Sequence, residues 1–291
     1  MPTPWSQYFS EVALELTRRS IRLALDEDGR DLTSIGVFTP DVPMRAHIVA
    51  KEATHVVGLP LIPMVFAELG CTPVLAFQAE EASEVPAMTE IVRIQAPATA
   101  LLRAERVILN FVAHLSGIAN LTARYVKELK GTGVTLLDTR KTTPGMRWIE
   151  KYAVQAAGAG NHRRNLEELL MLKDNHIDQA GSITRAVEKL RAAWKPCPPI
   201  EVECRTLDHV REAVACRADR IMMDNMRGAL LADALALVPQ GIETEVSGGV
   251  TLENLRQLAL SSARRPDFIS VGRLTHSAVS ADFSMTLQPE S

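Results

Sequence analysis

The chain is poor in aromatic residues, 4% of 291, which removes the stacking surfaces that single-stranded nucleic acid needs. It has no strong charge of either sign. Thirty-two basic and 35 acidic side chains leave a formal net charge of −3, so a broad basic face for phosphate backbones is excluded. Cysteine is scarce as well: Cys71, Cys197, Cys204 and Cys216 form no CxxC pair and no zinc-like spacing with histidine, as expected of reduced thiols. No apolar run reaches the roughly 18 residues that span a bilayer, and residues 1–7 lack a basic stretch followed by an apolar one. These absences lead to the expectation of a cytoplasmic protein that engages neither membrane nor nucleic acid. What is present, 46% apolar and 23% charged residues, is enough for one large α/β barrel or two folded domains.

The grammar of the chain changes near Gly131. Before it, Leu14–Asp26 reads as an amphipathic helix with Leu16, Ile21, Leu23 and Leu25 among its apolar positions. Residues 44–57 read as a strand, because Ala46, Ile48 and Ala50 alternate with polar neighbours. Helical runs follow over 61–69 and 98–115, and Ser116-Gly117 is expected to interrupt the latter before a further helix to Lys130. After Gly131, short apolar runs each close on polar residues or glycine: Val134–Leu137, Leu169–Leu172, Pro199–Cys204, Ile221–Met223, Glu243–Val246 and Phe268–Val271. Their ends are spaced by roughly 20 to 36 residues, the size of a βα unit. A parallel α/β barrel of six strands is expected, seven if Tyr152–Ala157 is counted. Its functional groups would sit at the C-terminal strand ends.

Charge is concentrated at those ends. Arg140, Lys141, His162, Arg163 and Lys173 fall within 34 residues of one another in an otherwise acidic protein, a density suited to a small, highly anionic substrate. The turns Ser247-Gly248-Gly249 and Gly272-Arg273, on successive strands, suit a phosphate cradle, where backbone N–H groups approach an anion closely. Glu203 and Asp224 close successive strands and are candidates for Mg2+ or sugar hydroxyls. Glu201 lies on the same strand face as Glu203 but reads as a surface acid paired to a cation. His47, His55, His114 and His209 read as structural. A Schiff-base aldolase using Lys141 or Lys173, and a ligand-binding protein without turnover, are alternatives that these residues alone leave open.

The blocks Asp138–Gly145, Glu150–Val154, Asn161–Arg163 and Lys173–His176 resemble the quinolinate phosphoribosyltransferase family. Supporting matches are Ala104–Asn110, Ser116–Ile118, Met223–Met226, Glu245–Gly249 and Ser270–Gly272, and the resemblance runs from Gly29 to Met285. It implies an N-terminal α/β sandwich domain (1–115), a C-terminal parallel α/β barrel (116–275) and a closing segment (276–291). It also implies a homodimer, or a higher oligomer, with shared active sites. By the same resemblance Arg140, His162, Arg163 and Lys173 would bind quinolinate, with Arg106 reaching in from the partner subunit. Lys141, Glu203 and Asp224 would be catalytic, the two acids also meeting Mg2+. Asp174, Ser247, Gly248, Gly249, Gly272 and His276 would join Lys141 in holding phosphoribosyl pyrophosphate. Two positions depart from the family pattern. Asn165 and Ala159 stand where glycine is usual, beside the carboxylate-binding loop.

Overall fold

Period-two burial builds the first sheet: in strand Pro43–Ala50, Ala46, Ile48 and Ala50 are buried and their neighbours are not. The structure, a computed structural model, describes residues 5–38 and 41–289. They fall into two units, one drawn from 1–123, 142–158 and 274–291, the other from 124–141 and 159–273.

In the first unit four antiparallel strands lie in the order Phe283–Pro289, Pro43–Ala50, Thr89–Pro97, Val74–Phe77. Ile48 sits between Met285 and Val92, so a strand from near the end of the chain completes one edge. The residues expected as one strand over 44–57 break at 51–53, and only Thr54–His55 resume, paired with Glu84–Val85. The Asn120 side chain holds the resumed pair in place. It accepts from the His55 N–H at 2.8 Å and donates to Thr54 Oγ1 at 2.7 Å, replacing ladder bonds there.

Helix Glu11–Asp28 is capped by Ser10, whose hydroxyl accepts from the Ala13 N–H at 3.3 Å. It buries Ala13, Thr17, Ile21 and Leu25, a four-residue repeat, and packs on helix Leu61–Glu68. Leu23, expected on the apolar stripe, is exposed on another face.

Two sequence expectations fail in this unit for clear reasons. Ala98–Leu129 is a single helix, uninterrupted at Ser116-Gly117. Ser116 Oγ accepts from the Val57 N–H at 3.1 Å, and a Cβ on Gly117 would collide with the Val279 carbonyl. The glycine serves a backbone approach rather than a break. Tyr152–Ala157 is not a strand but part of helix Arg147–Ala156. Its buried Ile149, Tyr152, Ala153 and Ala156 repeat at helical spacing, and Tyr152 stacks edge-on against Trp5 at 4.9 Å.

The second unit holds six parallel strands in the order Thr135–Leu137, Phe268–Ser270, Glu243–Ser247, Arg220–Asp224, Ile200–Cys204, Leu170–Leu172. These are the six runs singled out in the sequence, and they make the unit a parallel α/β barrel domain. Two of the helices between them start on hydroxyl caps: Ser182 before Ile183–Ala193 and Thr206 before Leu207–Ala215. Beyond the first strand the ladder continues only as a bridge to Gly160, whose N–H donates to the Leu136 carbonyl at 2.8 Å.

Candidate active site

The C-terminal ends of these strands enclose a cavity of about 590 Å3, within the usual range for a small-molecule site. Ten of the residues proposed from the sequence line it together: Arg140, Lys141, His162, Arg163, Lys173, Glu203, Asp224, Ser247, Gly248 and Gly249. Asp174 and Gly272 belong to the same unit but do not line the cavity, while Arg106 and His276 belong to the other unit.

One wall is cationic, and Asp138 shapes it. This fully buried carboxylate, one residue past its strand, accepts from the His162 N–H and from Asn161 Nδ2, each at 2.8 Å. The 160–163 segment is thereby pinned beside the strand end carrying Arg140. Arg163 is half-buried and donates one N–H to the Leu169 carbonyl at 2.8 Å. Burial, then the nearby Arg140, lowers its pKa below the ordinary arginine value. Arg140 Nε is buried without a hydrogen-bond partner. Two guanidiniums crowded together, one with an unspent donor, form a wall suited to an anion.

Beneath this wall lies a polar core. His162 Nδ1 accepts from the Arg163 N–H at 2.7 Å, so the ring proton sits on Nε2. Nε2 faces Glu201 at 3.1 Å and Glu245 at 3.4 Å, while Arg220 reaches Glu245 at 3.3 Å. The expectation that Glu201 is a surface acid is therefore wrong: it is fully buried inside the barrel. In a barrel domain the inward register faces other strands rather than water, so strand alternation carries Glu201 to the core.

Burial raises both carboxyls from 4.5 to about 7, and Glu201 also repels Glu245. A native pKa above the unfolded value means the folded state holds the extra proton. This stability is fully present below pH 4.5 and disappears as pH rises through about 7. Glu245→Gln is expected to remove about 2–3 kcal/mol of that dependence, read as a flatter melting temperature between pH 4.5 and 8. An unaltered profile would show that Glu245 stays ionised throughout.

The opposite wall carries the carboxylates. Lys173 Nζ donates to Glu203 at 2.8 Å. The guanidinium of Arg205 then bridges three acids, meeting Glu203 at 3.2 Å, Asp224 at 3.3 Å and Asp174 at 3.1 Å. Ser270 Oγ donates to Ser247 Oγ at 3.0 Å beside two glycines in the left-handed region. Gly248 has φ +85°, and a Cβ there would run into the side-chain amide of Asn225. Asn225 also has positive φ, and its N–H donates to the Ser247 carbonyl at 3.0 Å. The turn is thus a tight backbone cradle open to an anion.

Sequence reasoning missed Arg205, Asn225 and Glu245. Each carried a signal: a cation directly after Glu203, an asparagine directly after Asp224, and an acid repeating the Glu201 pattern on the strand before Ser247. Asn165 and Ala159 need no glycine, since neither has positive φ, and Asn165 Oδ1 accepts from the N–H groups of Glu167 and Glu168.

Residues 118–286 match the family model for the C-terminal domain of quinolinate phosphoribosyl transferase, and residues 31–116 match its N-terminal domain. The chain is 41% identical over 263 residues, 90% of each sequence, to the probable nicotinate-nucleotide pyrophosphorylase (carboxylating) of Bacillus subtilis. It is 36% identical over 271 residues to the rat enzyme of that name, covering 91% of this chain and 89% of that one. The crystal structure of NadC from Streptococcus pyogenes superposes with a TM-score of 0.88 at 34% identity, covering 97% of this chain and 99% of that one.

Proposed function

Because the chain belongs to the quinolinate phosphoribosyltransferase family, we propose that it transfers phosphoribose from phosphoribosyl pyrophosphate to quinolinate with decarboxylation. The products are nicotinate mononucleotide, pyrophosphate and CO2, and the setting is NAD synthesis in the cytoplasm. The observation that carries this reading is the pairing of an arginine wall, with a buried and unpartnered Arg140 Nε, and a carboxylate wall across one cavity.

Quinolinate, a dianion, is held by Arg140 and Arg163 through their planar forks and by Lys173 as a point charge. His162 forms the wall between them, its two ring nitrogens directed to the Arg163 backbone and the buried carboxylates. The cradle of Ser247, Gly248 and Gly249, joined by Lys141 on the same cavity, holds the donor's phosphates. As the bond from C1 to pyrophosphate lengthens, positive charge develops on the ribose, and Glu203 and Asp224 stabilise it. The pyridine nitrogen attacks C1. The resulting pyridinium stabilises the electron pair left at C2 when the 2-carboxylate departs as CO2, and a proton then takes its place.

Glu203 and Asp224 also suit a hard divalent cation, since both offer carboxylate oxygens and a guanidinium already sits between them. Those two carboxylates would hold Mg2+, which would supply positive charge to the departing pyrophosphate. A homodimer in which Arg106 enters the partner's site completes the proposal.

The test mixes purified protein, quinolinate, phosphoribosyl pyrophosphate and Mg2+, and measures nicotinate mononucleotide and CO2 in equal amounts. No product at high enzyme concentration rejects the reading. A carbonyl substrate trapped on Lys141 or Lys173 by borohydride would favour the aldolase alternative instead.

A further inference from the structure

The Arg205 guanidinium uses all three of its nitrogens on carboxylates from three successive strand ends. Nη1 lies 3.1 Å from Asp174, Nη2 3.2 Å from Glu203, and Nε 3.3 Å from Asp224. Glu203 also meets Lys173 at 2.8 Å, so two cations balance a cluster of three acids. The arrangement is not forced by burial. The Arg205 side chain is 50% exposed, while that of Glu203 is 9% exposed and that of Asp224 18%. The acids are fixed in the cavity wall, and the arginine reaches them from the solvent side on a long, flexible stem.

Two of these carboxylates are the ones suited to a divalent cation. The oxygens that Arg205 occupies, Glu203 Oε1 and Asp224 Oδ2, are therefore withheld from a metal for as long as the guanidinium stays.

We propose that Arg205 is a built-in counter-ion that occupies the cation position between Glu203 and Asp224 in the empty enzyme and gives way to the divalent cation that arrives with the donor. Arg205 is thus a positioning residue. It holds Glu203 and Asp224 in place, and it keeps free metal out until a polyanion is there to draw the metal in. This rests on the reading under Proposed function only for the identity of the donor. The exchange of guanidinium for metal stands on the three ion pairs.

Mn2+ without substrates, followed by its electron paramagnetic resonance signal, tests the exchange on the full-length protein. Wild type is expected to bind weakly. Arg205→Gln should tighten the Mn2+ dissociation constant about tenfold, because a competing cation has been removed while the acids remain. Arg205→Lys, which keeps the charge but loses the fork, should fall between the two. The double variant Arg205→Gln/Glu203→Gln should return to weak binding and so locate the metal.

Equal or weaker Mn2+ affinity in Arg205→Gln overturns the proposal, as does tightening that survives loss of Glu203. Should Arg205→Gln not fold, the intermediate affinity of Arg205→Lys decides, and wild-type affinity there overturns it. Product formation by wild type is read separately. A wild type that makes nicotinate mononucleotide beside an unresponsive Arg205→Gln defeats the counter-ion alone, whereas an inactive wild type defeats the reaction assigned above.

Discussion

Arg140→Ala is expected to lower kcat/KM for quinolinate by about a hundredfold to a thousandfold without lowering the melting temperature. The two effects separate because of how the Arg140 guanidinium is placed. Arg140 Nε is buried with no hydrogen-bond partner, and its charge crowds Arg163. The folded protein therefore bears a desolvation and repulsion cost at this position, a cost that a bound dianion would reverse. Truncation relieves that cost in the empty enzyme and removes a charge-assisted contact in the complex. Arg140→Lys should recover little, since a point charge does not reproduce a fork on a carboxylate. Steady-state kinetics with quinolinate varied, alongside thermal melts, check both halves. A melting temperature that falls sharply with Arg140→Ala would show that the residue supports the fold, and near-normal kinetics would remove it from the site.

The second large effect is structural. Gly117→Ala is expected to destabilise the protein by about 3 kcal/mol. In an α-helix a glycine-to-alanine change is ordinarily favourable by up to about 1 kcal/mol, so the sign itself is diagnostic. Helix propensity is overruled because the added methyl would meet backbone, the Val279 carbonyl and Ser280 Cα, rather than a side chain that could turn aside. Gly36→Ala is the internal control. It sits in helix Leu32–Val37 with nothing within 4 Å of the new Cβ, and should be neutral or mildly stabilising. Thermal melts of the two variants check the contrast, and a Gly117→Ala protein as stable as wild type would refute it.

The two units were unequally legible in the sequence. The six barrel strands could be read because each is a short apolar run closed by a turn, with one or two helices between each and the next along the chain. The antiparallel sheet offered less. Only Pro43–Ala50 shows clean alternation, while Val74–Phe77 is a largely exposed edge strand and Thr89–Pro97 carries charge on its open face. The resemblance supplied the existence of that domain, but the residues did not supply its strands. Ser116-Gly117 and Tyr152–Ala157 misled for one reason: glycine and a short apolar run have more than one structural use, and the choice depends on a distant neighbour.

At the site, ten residues could be named because strand ends gather charge. Glu201 was misjudged because alternation reports which residues share a face, not whether that face meets water. Arg205 went unnoticed because a lone arginine after a strand is ordinary, and its three partners become visible only when the strand ends are placed side by side.

The pairing of Ile48 with Met285 also bears on how the polypeptide emerges from the ribosome. The barrel's strands are made one after another, so that unit has all its parts while the final strand is still being synthesised. The N-terminal sheet does not. Its Pro43–Ala50 strand waits with one edge open through the synthesis of the whole barrel, and loop closure over such a span is slow. Until Phe283–Pro289 has emerged and paired, the chain therefore carries an unprotected strand edge at Pro43–Ala50. That is the interval in which aggregation, or capture by a chaperone, competes with folding.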